Sequence, residues 1–331
     1  MNLSRAISIL RDGGLVAFPT ETVYGLGADA TNAAAVRRIF AAKGRPPTNP
    51  LIVHVADEKI ARRYAGNWPQ AAARLAAKFW PGPLTLVVPR AVSLAPEVSA
   101  GRDTVGLRAP DHPLALQLLR EFDGPIAAPS ANRSTRISPT RAEHVREELG
   151  DAVDLILDGG PCRVGIESTV LDLSGDAPVI LRQGAIMQNQ IEAEIGPVKL
   201  FAGSVDPAIA AASPGQHAIH YAPRARAYRF DSTSRPALAQ MLETNRARSA
   251  DSRALVYLES STAAPAILAA VTFAAVVQMP ADSTAYAQRI YQALREVDQP
   301  GVDTIFVEMP PDEPAWAAVR DRLSRATTPL P

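Results

Sequence analysis

Leu15-Val16-Ala17-Phe18-Pro19-Thr20-Glu21-Thr22-Val23-Tyr24-Gly25-Leu26-Gly27 decides the fold class of this 331-residue chain. The apolar run 15–18 reads as a short strand that ends at the breaker Pro19. Hydroxyls and a carboxylate stand at its exit, and two glycines follow. Such a loop suits close approach to a small ligand. An ST-turn joining strand to helix is the plainer alternative. The next periodic segment, 33–42, has helical spacing, with Thr31 or Asn32 as its N-cap.

Outward from this unit the alternation continues. Strands are expected at 51–55, 84–88, 105–108, 126–128, 155–157, 169–172 and 179–181. Helices are expected at 71–79, stopped by Pro81-Gly82-Pro83, and at 112–121 and 141–149. The class is therefore α/β, with a large twisted sheet of mixed direction. Around 210–223 a breaker-rich stretch reads as a linker. Beyond it the pattern restarts on a smaller scale, with strands at 227–230, 253–257, 274–277 and 304–307. Helices at 235–243, 285–296 and 315–325 go with them. We expect a large domain over 1–205, a linker or lid over 206–224, and a Rossmann-like accessory domain over 225–331. No G-x-G-x-x-G follows any of its strands, so dinucleotide binding has no support there.

Composition narrows the function. Lys plus Arg and Asp plus Glu are 34 each, and both parts of the chain are nearly balanced, which argues against a dedicated nucleic-acid coat. Apolar residues at 47% suffice for real cores, and charged residues at 21% are too few for a disordered chain. With Cys162 alone, neither an intramolecular disulfide nor a multi-cysteine zinc site can form. Residues 1–13 do not have a signal-peptide pattern, and no apolar run reaches 18 residues, so a soluble cytoplasmic protein without membrane attachment is expected.

Four stretches carry polar and special-backbone residues too densely for ordinary scaffold. The first is 19–27. The second, Lys43-Gly44-Arg45-Pro46-Pro47-Thr48-Asn49-Pro50, leads into a strand bearing His54. Two cations held by prolines can grip phosphate oxygens at little ordering cost, whereas a basic helix terminus explains only one of them. His54 by itself reads more readily as a core residue. The third, Ala127-Ala128-Pro129-Ser130-Ala131-Asn132-Arg133-Ser134, offers small side chains that let backbone N–H groups approach an anion. Ser138 or Thr140 beyond it suits a helix cap. The fourth is Gly165-Ile166-Glu167-Ser168-Thr169. In an open α/β sheet these loops are expected together at the carboxyl ends of strands. No G-x-S-x-G elbow, P-loop or H-E-x-x-H is present, and histidines 54, 112, 144, 217 and 220 form no ligand set. What remains is catalysis by positioning and by electrostatic stabilisation of phosphate.

Taken in order, these stretches resemble the threonylcarbamoyl-AMP synthase family in its long form, a YrdC-like domain followed by an accessory domain. The match runs through 18–27, 43–51, Gly106-Leu107-Arg108, 128–132, 165–169, Leu181-Arg182, and Ser213-Pro214-Gly215 with His220-Tyr221-Ala222-Pro223. The resemblance implies that L-threonine, bicarbonate or CO2, and ATP with Mg2+ give L-threonylcarbamoyl-adenylate and pyrophosphate. That product serves N6-threonylcarbamoyladenosine synthesis in tRNA. It further implies that Thr22, His54, Arg108, the Ala128 backbone and Ser168 hold threonine. Lys43, Arg45, Asn49, Thr104, Ser130, Ser138, Arg182 and Tyr221 would surround ATP, with Lys43 and Arg45 catalytic and Tyr221 folding over the nucleotide. No protein ligand to the metal is implied, and a downstream tRNA threonylcarbamoyltransferase complex is the implied partner.

Three positions depart from the family pattern: 216–219 in the linker, Gln183 where proline is expected, and Thr135 where glycine is expected. Two other classes stay open. One is a module of the same fold that binds double-stranded RNA or tRNA or serves ribosome maturation, which balanced charge disfavours. The other is a carbamoyltransferase using carbamoyl phosphate, whose relatives carry zinc fingers that a single cysteine cannot build.

Overall fold

Two sheets divide the chain in the computed structural model, which describes residues 2–201, 203, 213–214, 221–231, 233–244 and 252–331. Residues 1–134 and 138–218 form one unit, and residues 135–137 with 219–331 form a second. The division expected at 205–206 and most of the expected linker, including 216–219, lie outside the described residues.

In the first unit the order is α1 (Leu3–Arg11), β1 (Val16–Phe18), β2 (Gly25–Asp29), α2 (Ala33–Lys43), β3 (Ile52–His54), α3 (Glu58–Tyr64) and α4 (Gln70–Phe79). Next come β4 (Leu84–Pro89), β5 (Thr104–Arg108), α5 (Pro113–Phe122), β6 (Ile126–Ala127), α6 (Ala142–Leu149) and β7 (Leu155–Ile156). The unit closes with β8 (Thr169–Asp172), β9 (Val179–Arg182), α7 (Gln188–Ile195) and β10 (Lys199–Leu200). Among the described residues the strands pair as β10-β9-β8-β4-β5-β3-β6-β2-β1-β7. Direction is mixed: β3–β5, β4–β8 and β1–β7 are parallel, whereas β4–β5, β3–β6 and β1–β2 are antiparallel.

The two-residue period of the strands sorts the core into two layers. Leu15, Ala17, Val53, Leu84, Leu86, Leu107 and Leu171 pack with α2, α4 and α6 on one side. Val16, Phe18, Ile126 and Ala128 face the other side, where α1 and α5 cover them. That second cover stops there. Ile52, Thr85, Val87, Gly106 and Val170, on the same face of β3, β4, β5 and β8, lie beneath residues 99, 102, 213 and 214 instead of beneath a helix. Arg108 and His54 end β5 and β3 on this helix-free half of the sheet face.

Local chemistry explains most element ends. The Asn32 side chain accepts from the N–H groups of Ala34 and Ala35, capping α2, and Gly44 ends it in the left-handed conformation at φ 60°. Four helices were not anticipated: α1, α3 and α7 in this unit, and Ala264–Ala270 in the second. Helix α1 has a plain signal, since Leu3, Ala6, Ile7 and Leu10 are its buried stripe. Residues 25–27 are strand rather than ligand loop. A Cβ on Gly27 would sit 2.8 Å from both Phe18 Cε1 and Ile126 Cγ2, so the glycine serves close strand packing.

The second unit contains β11 (Arg226–Phe230), α8 (Arg235–Thr244), β12 (Arg253–Leu258), α9 (Ala264–Ala270), β13 (Ala275–Met279), α10 (Ser283–Val297), β14 (Thr304–Glu308), α11 (Ala317–Ala326) and β15 (Thr328–Pro329). Its strands run parallel in the order β13-β12-β14-β11-β15, which is the Rossmann-like pattern the sequence spacing implies. Phe230, Leu238, Leu255 and Phe306 centre its core. Thr135, in the segment that joins this unit, has φ 68°, so a β-branched residue occupies left-handed backbone where the family pattern has glycine.

Candidate active site

The register of β3 and β5 sets His54 beside Arg108. Arg108 is almost fully buried, at 4% exposure. Its Nη2 donates to Thr22 Oγ1 at 2.9 Å and lies 2.8 Å from Glu21 Oε2, while Nε donates to the Gly82 carbonyl at 3.3 Å. The 19–24 loop is held in place for this. Thr20 Oγ1 donates to the Val23 carbonyl at 2.6 Å, and Tyr24 N–H donates to the Pro139 carbonyl at 2.8 Å. Thr20 and Thr22 hydroxyls are 2.8 Å apart. Loop and strand end thus gather one guanidinium, one carboxylate and two hydroxyls in a dry corner.

His54 completes that corner. Its ring meets Phe18 edge-on with centroids 5.8 Å apart, and Nδ1 has no hydrogen-bond partner. Burial, with the Arg108 charge adding to it, pushes the imidazole down to about 3, so it is neutral at physiological pH. The unfolded chain binds this proton near pH 6.5 and the folded one does not. Stability is therefore highest above pH 6.5 and falls as pH drops from there towards 3, by about 1.4 kcal/mol per unit from this group. In urea unfolding, the wild type should lose about 2 kcal/mol more between pH 7 and pH 5 than His54→Gln, which cannot charge. Equal losses in the two proteins would refute a buried neutral histidine.

Ser168 lies at the entrance of β8, next to β4. Its hydroxyl is 2.8 Å from Thr85 Oγ1 and accepts from Arg182 Nη2 at 3.2 Å, while its carbonyl accepts from Arg182 Nε at 3.1 Å. Arg182 Nη1 reaches the Pro214 carbonyl at 3.3 Å. Ser213 and Pro214 lie over the helix-free half of the sheet face, which Thr104 also borders. Behind Ser168, Gly184 lets the returning chain pass: a Cβ there would come within 2.3 Å of Thr169 N. Ser138 donates to Glu167 Oε1 at 2.6 Å.

The two cations of the second stretch are engaged with backbone. Lys43 Nζ donates to the carbonyls of Ser130 and Asn132, and Ser134 N–H returns a bond to the Lys43 carbonyl at 2.8 Å. Burial, with the Arg45 charge second, holds its amine well below the usual lysine range. Arg45 Nε and Nη2 donate to the carbonyls of Asn49 at 3.0 Å and Pro50 at 2.8 Å. The Ala128 N–H donates to the Ile52 carbonyl at 2.9 Å, so its carbonyl is the group it has to offer a ligand.

Twelve of the thirteen anticipated residues belong to the first unit. Tyr221 belongs to the second, buried at φ 64° with Arg322 Cζ 5.2 Å above its ring and Tyr291 5.7 Å away. The expectation that the loops meet at strand carboxyl ends holds in part. The 19–24 loop follows β1 and Ala128 follows β6, and His54 and Arg108 end β3 and β5, but residues 43–50 precede β3 and Ser168 precedes β8. In a mixed sheet, entrances and exits alternate along each edge. Three residues carried no assignment from sequence. Thr85 is the one polar residue in an apolar strand, which was a usable signal. Glu21 stood in view without a partner to give it meaning, and Gly184 had no local mark at all.

Residues 8–184 match the family model described as "Telomere recombination", which groups Sua5, YciO and YrdC. Residues 186–328 match the one described as "Threonylcarbamoyl-AMP synthase, C-terminal domain". The threonylcarbamoyl-AMP synthase of Bacillus subtilis is 42% identical over 325 residues, covering 98% of this chain and 92% of its own length. That of Pyrococcus abyssi is 40% identical over 326 residues, covering 97% and 93%. The crystal structure of P. abyssi Sua5 complexed with L-threonine superposes with a TM-score of 0.88 at 37% identity, over 98% of this chain and 95% of that one.

Proposed function

Because the chain belongs to the threonylcarbamoyl-AMP synthase family, we propose that it converts L-threonine, bicarbonate or CO2, and ATP into L-threonylcarbamoyl-adenylate and pyrophosphate. The product would supply N6-threonylcarbamoyladenosine synthesis through the tRNA threonylcarbamoyltransferase machinery of the cytoplasm. No helix among the described residues is long and apolar enough to cross a membrane.

One observation above all supports this reading. Arg182, assigned to ATP, donates to both the hydroxyl and the carbonyl of Ser168, assigned to threonine. An amino acid and a nucleotide held by two touching residues are near enough for a carbamate oxygen to reach the α-phosphate. Arg108 is the cation for the threonine carboxylate, with Thr22, His54, the Ala128 carbonyl and Ser168 around the rest of the molecule. Neutral His54 can accept or donate one hydrogen bond without adding charge.

For ATP we assign Lys43, Arg45, Asn49, Thr104, Ser130, Ser138, Arg182 and Tyr221. Lys43 and Arg45 are the cations of phosphoryl transfer, and their bonds to loop carbonyls keep them ordered before ATP arrives. Mg2+ accompanies the triphosphate. The ion would be held through the phosphate oxygens and water, with no ligand from the protein. When bound, Mg2+ neutralises charge on the phosphate oxygens and the leaving pyrophosphate. The buried setting of Arg108 and His54 excludes water from a labile carbamate.

Pyrophosphate release, followed in a coupled assay, is expected only when threonine and bicarbonate are both supplied. Undiminished release without threonine rejects the reaction.

A further inference from the structure

Glu21 is a buried charge in the first unit to which the assignments above give no task. Its side chain is sealed from solvent, and neither carboxylate oxygen accepts a hydrogen bond. Arg108 Nη2 lies 2.8 Å away, but off the N–H direction, with a bond made to Thr22 instead. An ionised carboxylate without hydrogen-bond donors is costly to bury. Its oxygens can only accept, so the missing partner is a donor. His54 Nδ1, next to Arg108 in register, is a second buried polar atom here without a hydrogen bond.

A carboxylate and a guanidinium side by side are the complement of a zwitterion. An α-amino acid carries its ammonium and its carboxylate on one carbon. A molecule that sets its carboxylate on Arg108 brings its ammonium to the neighbourhood of Glu21, and an ammonium supplies three donors.

We propose that Glu21 accepts hydrogen bonds from the amino group of the bound amino acid and takes its surplus proton, freeing the nitrogen lone pair for attack on carbon. This rests on the threonine reading of the site given above. In the first step R–NH3+ passes a proton to the Glu21 carboxylate; one N–H bond breaks, one O–H bond forms, and R–NH2 remains. The amine lone pair then forms the N–C bond to bicarbonate. One C–O bond breaks, and a proton from the nitrogen leaves with that oxygen and its hydrogen as water. The product is the carbamate R–NH–COO−. Without the first step the nitrogen has no lone pair to give.

The charged and titratable groups that act on Glu21 come from several elements. Arg108 is on β5, His112 heads α5, and Cys162 lies in the loop before β8. His54 stands beside Arg108. Burial pushes Cys162 up to about 12 and His54 down to about 3, so neither changes charge between pH 6 and pH 9.

Glu21→Gln keeps the shape and removes the charge. In the wild type, kcat/KM for threonine is expected to stay flat from pH 6 to pH 8, since the ammonium form is the one used. In Glu21→Gln it should climb about tenfold per pH unit, because only the scarce free amine reacts. A residue that merely supports the fold leaves the slope unchanged.

Calorimetry with 3-hydroxybutyrate, threonine without its amino group, gives a second readout. Wild type should prefer threonine roughly 100-fold and Glu21→Gln less than about tenfold. Glu21→Asp, which retains the charge, should keep the flat profile. It carries the test if the Gln variant fails to fold by circular dichroism, and a steep profile in it counts against the proposal. Glu21→Gln with the wild-type slope and the wild-type preference overturns it. Wild type that binds neither acid strikes the threonine reading itself, and with it this step.

Discussion

Exchanging Arg108 for lysine is expected to lower kcat/KM for L-threonine roughly 100-fold while KM for ATP changes less than about threefold. The guanidinium serves three directions at once: Thr22 at 2.9 Å, Glu21 at 2.8 Å and the Gly82 carbonyl at 3.3 Å. A planar fork can meet those directions and still present an edge to a carboxylate, whereas an ammonium on a flexible stem is a point charge that satisfies fewer of them. Losing a charged hydrogen bond to a buried carboxylate is worth about 1.5–3 kcal/mol, which is the source of the factor. Arg108→Ala goes further. It leaves Glu21 as an uncompensated buried charge, and removing one partner of such a pair costs about 3–5 kcal/mol of stability. Steady-state kinetics with each substrate varied in turn separates the two effects. Arg108→Lys with unchanged kcat/KM for threonine would remove Arg108 from the carboxylate.

The other large effect is expected from Gly184→Ala. The added Cβ would stand 2.3 Å from Thr169 N, 2.6 Å from Ser168 C and 2.7 Å from Glu167 O, all of them backbone. Backbone cannot rotate aside as a side chain can, so the strand entrance must shift as a whole. Overpacking of this kind costs about 1–3 kcal/mol or somewhat more. For a unit of this size that lowers Tm by roughly 2–12 °C, at about 2–4 °C per kcal/mol. Activity should fall more than stability suggests. Ser168 hydrogen-bonds Thr85 and Arg182 at 2.8 and 3.2 Å, and a displaced Ser168 would separate the positions we propose for threonine from those we propose for ATP. Scanning calorimetry and initial rates on the same sample check both parts. A variant with native Tm and native kcat contradicts this account of Gly184.

Local chemistry alone carries a good share of this protein. Periods of 2 and 3.6 residues set the order of strands and helices in both units, the parallel character of the second, and the Asn32 cap of α2. Four polar stretches in one order, three of them glycine-bearing, are enough to mark the family, because each residue type suits contact with phosphate or a small zwitterion whatever surrounds it. Helix α1 was legible too, from the buried stripe of Leu3, Ala6, Ile7 and Leu10.

What the site does with those residues came from tertiary structure. Where α1 and α5 land decides which half of the sheet is left without a helix over it, and His54 and Arg108 stand on that half. Thr22 and Arg108 are 86 residues apart, and Thr85 and Ser168 are 83 apart, so no local pattern links them. The same holds for charge. His54 is neutral and Glu21 is held against Arg108 because of what buries them, and burial is a property of the whole fold. Periodicity reports only the face a residue takes within its own element, whereas the partners on that face arrive from distant parts of the chain.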